Sequence, residues 1–349
     1  MTPLEQQLPK LRDAIASHAD VSLDALRILP TTGLAHDHII VEGTDWLLRV
    51  PRQSQMQLDA AHNLNYQATC FERMSDSGHT PVCHARIEPS VDIPMGALLV
   101  DYIEGQPLQP PGDMHMVAKT LAAIHALPLI PAEQRAPLID QKDPMSATLE
   151  EVLGQAQFIP SANLSSETVK LINREIKAAQ DSIANLPLSP VALVSFDAHP
   201  GNFIVNKDNR AYLVDLEKGR YSGAGFDLAH ASLYTSTTWD VASYSELSTD
   251  EIKSFYDAWL EAMPPSLAEQ WQPFLMPMRR LMWLWSITWC AKWLVESNQD
   301  LKLSKHKVSD TEDWSTENTD DALITHVRGR VEQYLKPEII ERVCADWRT

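Results

Sequence analysis

The segment from Leu193 to Glu217 concentrates side chains that could do chemistry. Asp197 and Asn202 lie five positions apart, separated by Ala-His-Pro-Gly, and Asp215 follows thirteen positions after Asn202. The Pro-Gly pair disfavours a helix and predicts a rigid loop that carries Asp197 and Asn202. Two short apolar runs after this loop predict a hairpin that returns Asp215 towards it.

These three side chains match what phosphate transfer from a nucleoside triphosphate requires. Mg²⁺ takes oxygen ligands, few of them from protein, so the Asp215 carboxylate and the Asn202 amide oxygen fit its needs. The second carboxylate, Asp197, is then left to accept the proton of an attacking hydroxyl. An Asp-x4-Asn loop followed by a metal-binding Asp is the kinase pattern, so the spacing predicts a kinase that uses ATP and Mg²⁺.

The elements that must position these residues change character along the chain. The first part alternates helix and strand, with helical patterns at 4–18 and 59–75, a hairpin pattern at 37–50 and a buried strand at 97–103. The second part is mostly helical, apart from the hairpin after Asn202, and residues 128–160 read as an irregular loop with one short helix.

This order predicts an α+β fold of two lobes. Residues 1–103 form a small sheet-plus-helix lobe that binds nucleotide, and residues 104–349 form a larger, mostly helical lobe for catalysis and acceptor binding. A seam between two lobes is a natural ligand cleft.

Composition narrows the class of partner. The 349 residues are 44% apolar, which is enough for a sizeable core, but 47 acidic residues against 29 basic ones give a net charge of −18. Nucleic acid and anionic membranes require a positive surface, so neither is an expected partner. The charge suits a cationic small molecule, or it simply keeps the protein soluble.

Location is predicted from what the sequence does not contain. The four cysteines form no CxxC pair, the N-terminus has no basic and apolar signal pattern, and the longest apolar run, 281–291, is short for a bilayer. We therefore expect a cytoplasmic protein with reduced thiols. No motif indicates an oligomeric state.

The motifs together resemble those of the aminoglycoside phosphotransferase and choline kinase family, small-molecule kinases of the protein-kinase-like fold. The resemblance spans residues 28–235 and is carried by Gly33-Leu-Ala-His36, Leu47-Leu-Arg49-Val-Pro51, Gly78-His-Thr-Pro81-Val, Tyr102-Ile-Glu-Gly105, Leu121-Ala-Ala-Ile-His125, Asp197-Ala-His199-Pro-Gly-Asn202, Leu213-Val-Asp215-Leu-Glu217 and Phe226-Asp227-Leu-Ala.

Carried over by position, the resemblance implies a role for each matching residue. Asp197 would orient and deprotonate the acceptor hydroxyl, while Asn202 and Asp215 would hold Mg²⁺. The remaining matched positions imply supporting roles: a brace for the loop from His199, a structural anchor from Asp227, and from Glu217 either a contact near the metal or acceptor or an ordinary ion pair.

The resemblance also implies a nucleotide site in the first lobe. Arg49 would pair with the phosphates, and a loop that includes Thr32 and Gly33 would cover them. The backbone of a hinge formed by Asp101, Tyr102 and Ile103 would read the adenine.

Three positions depart from the family pattern. Ser195 stands where the family usually has His, Arg49 where it has the phosphate-pairing Lys, and the helical Glu that would orient that base is replaced in the stretch that ends at Gln67. A weak pseudokinase that acts as a nucleotide-binding module is therefore the alternative to an active kinase. A protein kinase is disfavoured, because no activation segment ending in Ala-Pro-Glu follows Asp215.

Tryptophans crowd the C-terminal part, where nine of the ten lie. Trp285 and Trp289 recur at helical spacing, and Trp293 continues their face. Core packing is the favoured interpretation, and an acceptor pocket that binds a cation by its aromatic faces is the other. The acidic segment 310–321 is predicted as a loop that could ring such a pocket. The predicted acceptor is a small molecule with a hydroxyl, such as a cationic amino alcohol or amino sugar.

Overall fold

The first part of the chain builds one antiparallel sheet of five strands, in the order β1-β2-β3-β5-β4. The computed structural model describes residues 3–16, 18, 21–30, 35–303 and 321–348. Its first elements are α1 (Pro3–Ile15), β1 (Leu26–Ile28), β2 (His36–Val41), β3 (Trp46–Pro51), α2 (Ala60–Met74), β4 (Cys83–Ile87) and β5 (Ala97–Asp101).

The predicted hairpin is confirmed as β2 and β3, which pair from His36 opposite Pro51 to Val41 opposite Trp46. Gly43 lies in the connecting turn with φ +83°, a backbone conformation that costs glycine little. The register places Arg49 of β3 opposite His38 of β2. On its other side β3 pairs directly with β5.

Alternation along β5 divides the apolar residues of the sheet between two cores. Leu98 and Val100 belong to the large core that also contains α2 and the helical part. Ala97 and Leu99 point to the opposite face and join the small core beneath α1. Since successive side chains of a strand point to opposite faces, this one strand is buried on both sides.

The second part of the chain is mostly helical, as the sequence predicts. Its elements are β6 (Gln106–Pro107), α3 (Met114–His125), α4 (Pro144–Ala156), α5 (Ser166–Asn185), β7 (Ala192–Val194), β8 (Phe203–Val205), β9 (Ala211–Leu213), β10 (Arg220–Ser222), α6 (Ala224–Ser232), α7 (Tyr234–Thr237), α8 (Thr249–Ala262), α9 (Pro265–Trp271), α10 (Leu275–Leu303), α11 (Asp321–Tyr334) and α12 (Pro337–Cys344).

Two small sheets lie between these helices, and their strands border the loop that carries Asp197 and Asn202 and the segment that carries Asp215. Strands β6, β8 and β9 form one, which contains the predicted hairpin, and β7 pairs with β10 in the other. Residues 128–160 are more ordered than the sequence predicts, because the 13-residue helix α4 occupies most of their second half. The Asp143 side chain caps this helix by accepting the Ser146 N–H. Aspartate is among the residues most preferred at the N-cap of a helix.

The long helix α10 carries the tryptophan stripe. Among the described residues, no helix is both long enough and apolar enough to cross a bilayer. The acidic segment predicted as a loop at 310–321 lies outside the described residues, except for Asp321 at the start of α11.

Candidate active site

The loop after β7 is anchored by a buried carboxylate. Asp227 of α6 accepts the backbone N–H groups of Ser195 and Phe196, both at 2.8 Å, and the Nε2–H of His125 at 3.1 Å. The Nδ1 atom of His125 in turn accepts the indole N–H of Trp259 at 3.2 Å. A carboxylate with its oxygens filled by such donors fixes the backbone, in agreement with the structural role expected of Asp227.

The anchored backbone turns sharply just before Asp197. Phe196 has φ +58°, a left-handed conformation that is costly for a residue with a bulky side chain and that persists only where its surroundings enforce it. The Ser195 Oγ accepts the Asp197 N–H at 3.1 Å. Ser195, the first of the three departures from the family pattern, therefore helps to hold this loop.

Asp197 lies beside two nitrogen-bearing side chains. Its Oδ2 is 2.8 Å from the Nζ of Lys218, and its Oδ1 is 3.9 Å from the Nδ1 of His230. Burial raises the pKa of Asp197, but Lys218, His199 and His230 lower it by more, so the net pKa is below the usual value. Asp197 is therefore ionised at neutral pH and able to accept a proton.

Asn202 and Asp215 are brought together as the sequence predicts. The Val214 N–H donates to the Asn202 backbone carbonyl at 3.0 Å, which places Asp215 next to the loop. The Asn202 Nδ2–H donates to the Asp197 carbonyl at 2.8 Å, so the amide oxygen is left for a ligand. One carboxylate and one amide oxygen suit Mg²⁺, which keeps several non-protein ligands.

No cluster of three or more His, Cys, Asp or Glu that could hold a metal ion occurs among the described residues.

His199 braces the turn by accepting the Gly201 N–H on its Nδ1 at 3.2 Å. A Cβ at Gly201 would lie only 2.8 Å from the Oδ2 of Asp240, so the turn packs closely against Asp240.

Arg49 contacts Asp215, the predicted metal ligand, and not a glutamate on α2. Its Nη2 donates to the Asp215 Oδ1 at 2.5 Å and to the His36 Nδ1 at 3.1 Å. Burial raises the pKa of Asp215, but the charges of Arg49 and Lys218 lower it by more, and the net pKa lies well below its usual range. The carboxylate is thus ionised and paired with a buried guanidinium.

A neutral relay occupies the place of the missing glutamate. The His36 Nε2–H donates to the Gln67 Oε1 at 3.1 Å, and the Gln67 Nε2–H donates to the Glu217 Oε2 at 3.3 Å. Burial keeps the pKa of His36 well below its usual value, so His36 is uncharged. Gln67 of α2 therefore faces the site at the expected position, but through hydrogen bonds and not an ion pair.

Glu217 is the least satisfied acid of the site. Its side chain is 3% exposed, and no described residue donates a hydrogen bond to its Oε1. Burial and the neighbouring Asp215 raise the pKa of Glu217 to about 8. Glu217 thus lies inside the site, with a carboxyl oxygen available to a ligand.

Two of the three amides of the hinge segment, those of Asp101 and Tyr102, already donate to backbone carbonyls. The Tyr102 N–H donates to the Asp45 carbonyl at 2.8 Å, and the Asp101 carboxylate accepts the Val82 N–H at 2.9 Å. Ile103 N–H has no acceptor among the described residues. Of the predicted nucleotide-binding residues, Thr32 and Gly33 lie outside the described residues.

Trp285 and Trp289 are half-buried on α10, and Trp285 lies beside the loop that carries Asp197. The Trp285 indole N–H donates to the Glu151 Oε2 at 2.8 Å, and its ring lies 6.4 Å from the ring of Phe196. The Trp289 ring lies 6.1 Å from that of Trp239. Trp293, expected on the same face, is instead 1% exposed in the core.

The fold and the geometry can now be compared with known proteins. The model of the phosphotransferase enzyme family matches residues 32–269 of the chain. The chain belongs to the phosphotransferase enzyme family. No curated protein shows significant sequence similarity to this phosphotransferase.

Solved structures similar to this phosphotransferase are small-molecule kinases. A choline/ethanolamine kinase family protein from Mesorhizobium loti is 16% identical, with a TM-score of 0.58 over 98% of this chain and 100% of that one. A choline kinase from Cryptosporidium parvum Iowa II is 15% identical, with a TM-score of 0.59 over 97% and 98%. A spectinomycin phosphotransferase in complex with ADP and spectinomycin is 13% identical, with a TM-score of 0.58 over 97% and 98%.

These likenesses confirm the predicted protein-kinase-like fold, with a sheet-rich N-terminal part and a helical C-terminal part. Family membership confirms the enzyme class: this phosphotransferase is a small-molecule kinase that transfers phosphate to a hydroxyl.

Two residues near Asp197 in this phosphotransferase were not found by the sequence analysis. Lys218 directly follows Glu217, and His230 lies one helical turn after Asp227, so each is adjacent to a matched motif. The signal that could have found them is this proximity, because strand β10 and helix α6 return the chain to the catalytic loop. The family pattern gave neither residue a role.

Proposed function

We propose that this phosphotransferase transfers the γ-phosphoryl group of ATP, with Mg²⁺, to a hydroxyl of a cationic amino alcohol or amino sugar. The observation that supports it best is the backbone hydrogen bond from Val214 to Asn202, which gathers Asp197, Asn202 and Asp215 at one place. Phosphoryl transfer depends mainly on positioning and charge neutralisation, and this group of side chains offers both.

The nucleotide is proposed to lie between residues 1–103 and residues 104–349. The N–H of Ile103, which has no acceptor among the residues that the structure describes, would donate to the adenine, with Asp101 and Tyr102 shaping the hinge. Asn202 and Asp215 would hold Mg²⁺, which neutralises phosphate charge when bound. Arg49 would contribute its guanidinium fork to the phosphates. Use of ATP suits the predicted cytoplasmic location.

Asp197 is proposed to act as the base towards the acceptor. Its Oδ2 is held by Lys218, whereas the donor shown nearest to its Oδ1 within the described part of the chain is His230 at 3.9 Å. The Oδ1 atom would therefore orient the hydroxyl and accept its proton as the acceptor oxygen attacks the γ-phosphorus. His199 keeps the turn in place.

The acceptor is proposed to be cationic because of what flanks this loop. The half-buried rings of Trp285 and Trp289 offer aromatic faces, which attract ammonium groups. The carboxylate of Glu151 lies at the Trp285 indole, and that of Asp240 lies beside Gly201. The net charge of −18 adds to the attraction of a cation towards the enzyme.

A nucleotide-binding pseudokinase is the second candidate, and one observation favours it. Arg49 is paired with Asp215 itself and not with a carboxylate on α2, where Gln67 stands. A protein in which this pair persists would bind nucleotide weakly with Mg²⁺ and transfer no phosphate. Asp197, Asn202 and Asp215 are all present, however, which favours the active enzyme.

An ATP-consumption screen tests the proposal directly. Amino alcohols, amino sugars, aminoglycosides, neutral sugars and amino acids are supplied with Mg²⁺ and ATP, and ADP formation is followed with phosphorylated product identified by mass. We expect turnover to be fastest with a cationic acceptor and to be lost in Asp197→Asn. Turnover only with uncharged acceptors would overturn the acceptor class, and nucleotide binding without any product would favour the pseudokinase.

A further inference from the structure

Lys218 places an ammonium group at the catalytic carboxylate, where the family motifs assign none. We propose that Lys218 is a catalytic residue that binds the oxygens of the phosphoryl group while it is transferred from ATP to the acceptor oxygen. The inference rests on the proposed function, because it requires ATP as the phosphate donor.

The position of Lys218 is the first argument. Its Nζ lies 2.8 Å from the Asp197 Oδ2, and its side chain is 28% exposed, so the ammonium is anchored on a side chain that is only partly enclosed. An ammonium has three N–H donors, and within the described residues Asp197 is the partner of one. The others are available to phosphate oxygens.

The surrounding charges are the second argument. Asp197, Asp215 and Glu217 all interact electrostatically with Lys218, so its ammonium lies among the three acids of the site. A γ-phosphoryl group that approaches Asp197 brings further negative charge to this place. Lys218 is a cation already held in contact with the proposed base.

Arg49 does not fill this role in the structure. Its guanidinium is 4% exposed and is engaged by Asp215 and His36. His230 does not fill it either, because burial lowers the pKa of His230 to about 4 and leaves the ring uncharged at neutral pH. Compared with Arg49 and His230, Lys218 is both charged and partly exposed, with 28% of its side chain accessible.

The step that follows is balanced within the site. The acceptor oxygen forms a bond to the γ-phosphorus, and its proton passes to the Asp197 Oδ1. The bond from the γ-phosphorus to the bridging oxygen breaks, and its electron pair leaves on ADP. Lys218 stays protonated throughout and stabilises the charge on the oxygens of the transferring group, where such donors have their largest effect.

Comparing nucleotides with and without a γ-phosphate tests this role apart from turnover. Lys218→Met and Lys218→Arg are titrated calorimetrically with Mg²⁺ plus a non-hydrolysable ATP analogue, and with Mg²⁺ plus ADP. We expect Lys218→Met to lose affinity for the ATP analogue on the order of tenfold, with ADP affinity changed less than about twofold. Lys218→Arg, which keeps the charge, recovers part of the loss.

Lys207→Met is the matched control, because Lys207 lies exposed in the turn between β8 and β9 and its replacement removes the same charge. It should bind both nucleotides as the wild type does. Melting temperatures of all variants establish that they are folded.

Two results would overturn the inference, and they differ from each other. An unchanged ratio of ATP-analogue to ADP affinity in Lys218→Met, with lower kcat, would show that Lys218 only positions Asp197, and would leave the proposed function intact. A wild-type protein that binds neither nucleotide would overturn the proposed function and this inference with it.

Discussion

Two groups of acids in this phosphotransferase are bound in opposite ways. The cleft acids are Asp197, Asp215 and Glu217, and the anchor acids are Asp227 and Glu175. Each anchor acid is filled by donors, whereas each cleft acid keeps an oxygen without a close hydrogen-bond donor among the described residues. An acid whose oxygens are all used can hold backbone in place, but only an acid with a free oxygen can take a proton or a ligand.

Glu175 shows the anchor pattern away from the cleft. It accepts the Trp347 indole N–H at 3.0 Å, and its two oxygens lie 2.7 Å from Arg348 and 3.2 Å from Arg280. These contacts tie α5 to the start of α10 and to the C-terminal residues. Burial raises the pKa of Glu175, but these partners lower it by more, so the net pKa is below its usual value.

The comparison predicts the largest loss of activity at a cleft acid. Asp197→Asn removes the proton acceptor, and we expect kcat to fall about 10²- to 10⁴-fold. The free energy of unfolding should change by less than about 1 kcal/mol, since the lost ion pair with Lys218 is partly solvated. Steady-state kinetics and urea unfolding of the same preparation measure both. An unfolded variant would break the distinction between the two groups.

The largest loss of stability is predicted at an anchor acid. Asp227→Asn turns an amide group towards N–H donors that the carboxylate accepts, and this should cost about 3 kcal/mol of unfolding free energy. Urea unfolding measures the change, with Asp240→Asn at the edge of the site as the matched control. Wild-type stability in Asp227→Asn would show that the loop is anchored by other contacts.

A pH dependence separates the second anchor acid from the cleft. Because the folded-state pKa of Glu175 is lowered, its stabilisation is complete above the unfolded value of about 4.3 and is lost as pH falls through the folded value. Glu175→Gln should be less stable than wild type by about 1–2 kcal/mol at pH 7. The difference should shrink in acid, as measured by melting temperatures at several pH values. A constant difference would contradict the ionised ion-pair network.

The smallest effect is predicted for the serine that links the two groups. Ser195→Ala removes the Oγ that accepts the Asp197 N–H, which should cost about 1 kcal/mol of stability and a few-fold in kcat. Ser195→Thr keeps the hydroxyl and serves as control. A loss as large as that of Asp197→Asn would assign Ser195 to the chemistry itself.

The sequence predicted the parts of the site that depend on local spacing. Asp197, Asn202 and Asp215 lie within one loop and hairpin, and Pro-Gly and the apolar runs constrain both. The anchoring by Asp227 followed from the family resemblance, and the structure adds its partners His125 and Trp259.

The sequence did not predict the contacts that join distant segments. Gln67 and Glu217 are 150 positions apart, and their hydrogen bond depends on how α2 packs against the helical part. The tryptophan stripe was ambiguous for a similar reason, since helical spacing cannot tell which neighbours cover which face. Packing buries Trp293 and leaves Trp285 and Trp289 half-buried on α10.

The link from Trp259 through His125 to Asp227 has a consequence for how the protein is made. Trp259 and His125 are 134 positions apart, and both lie far from the loop that they support. On a ribosome, Asp197 is synthesised well before Trp259, so the nascent chain carries this aspartate before it has the indole that supports the His125–Asp227 contact. The full set of contacts that anchors the loop can therefore form only after α8 has been synthesised.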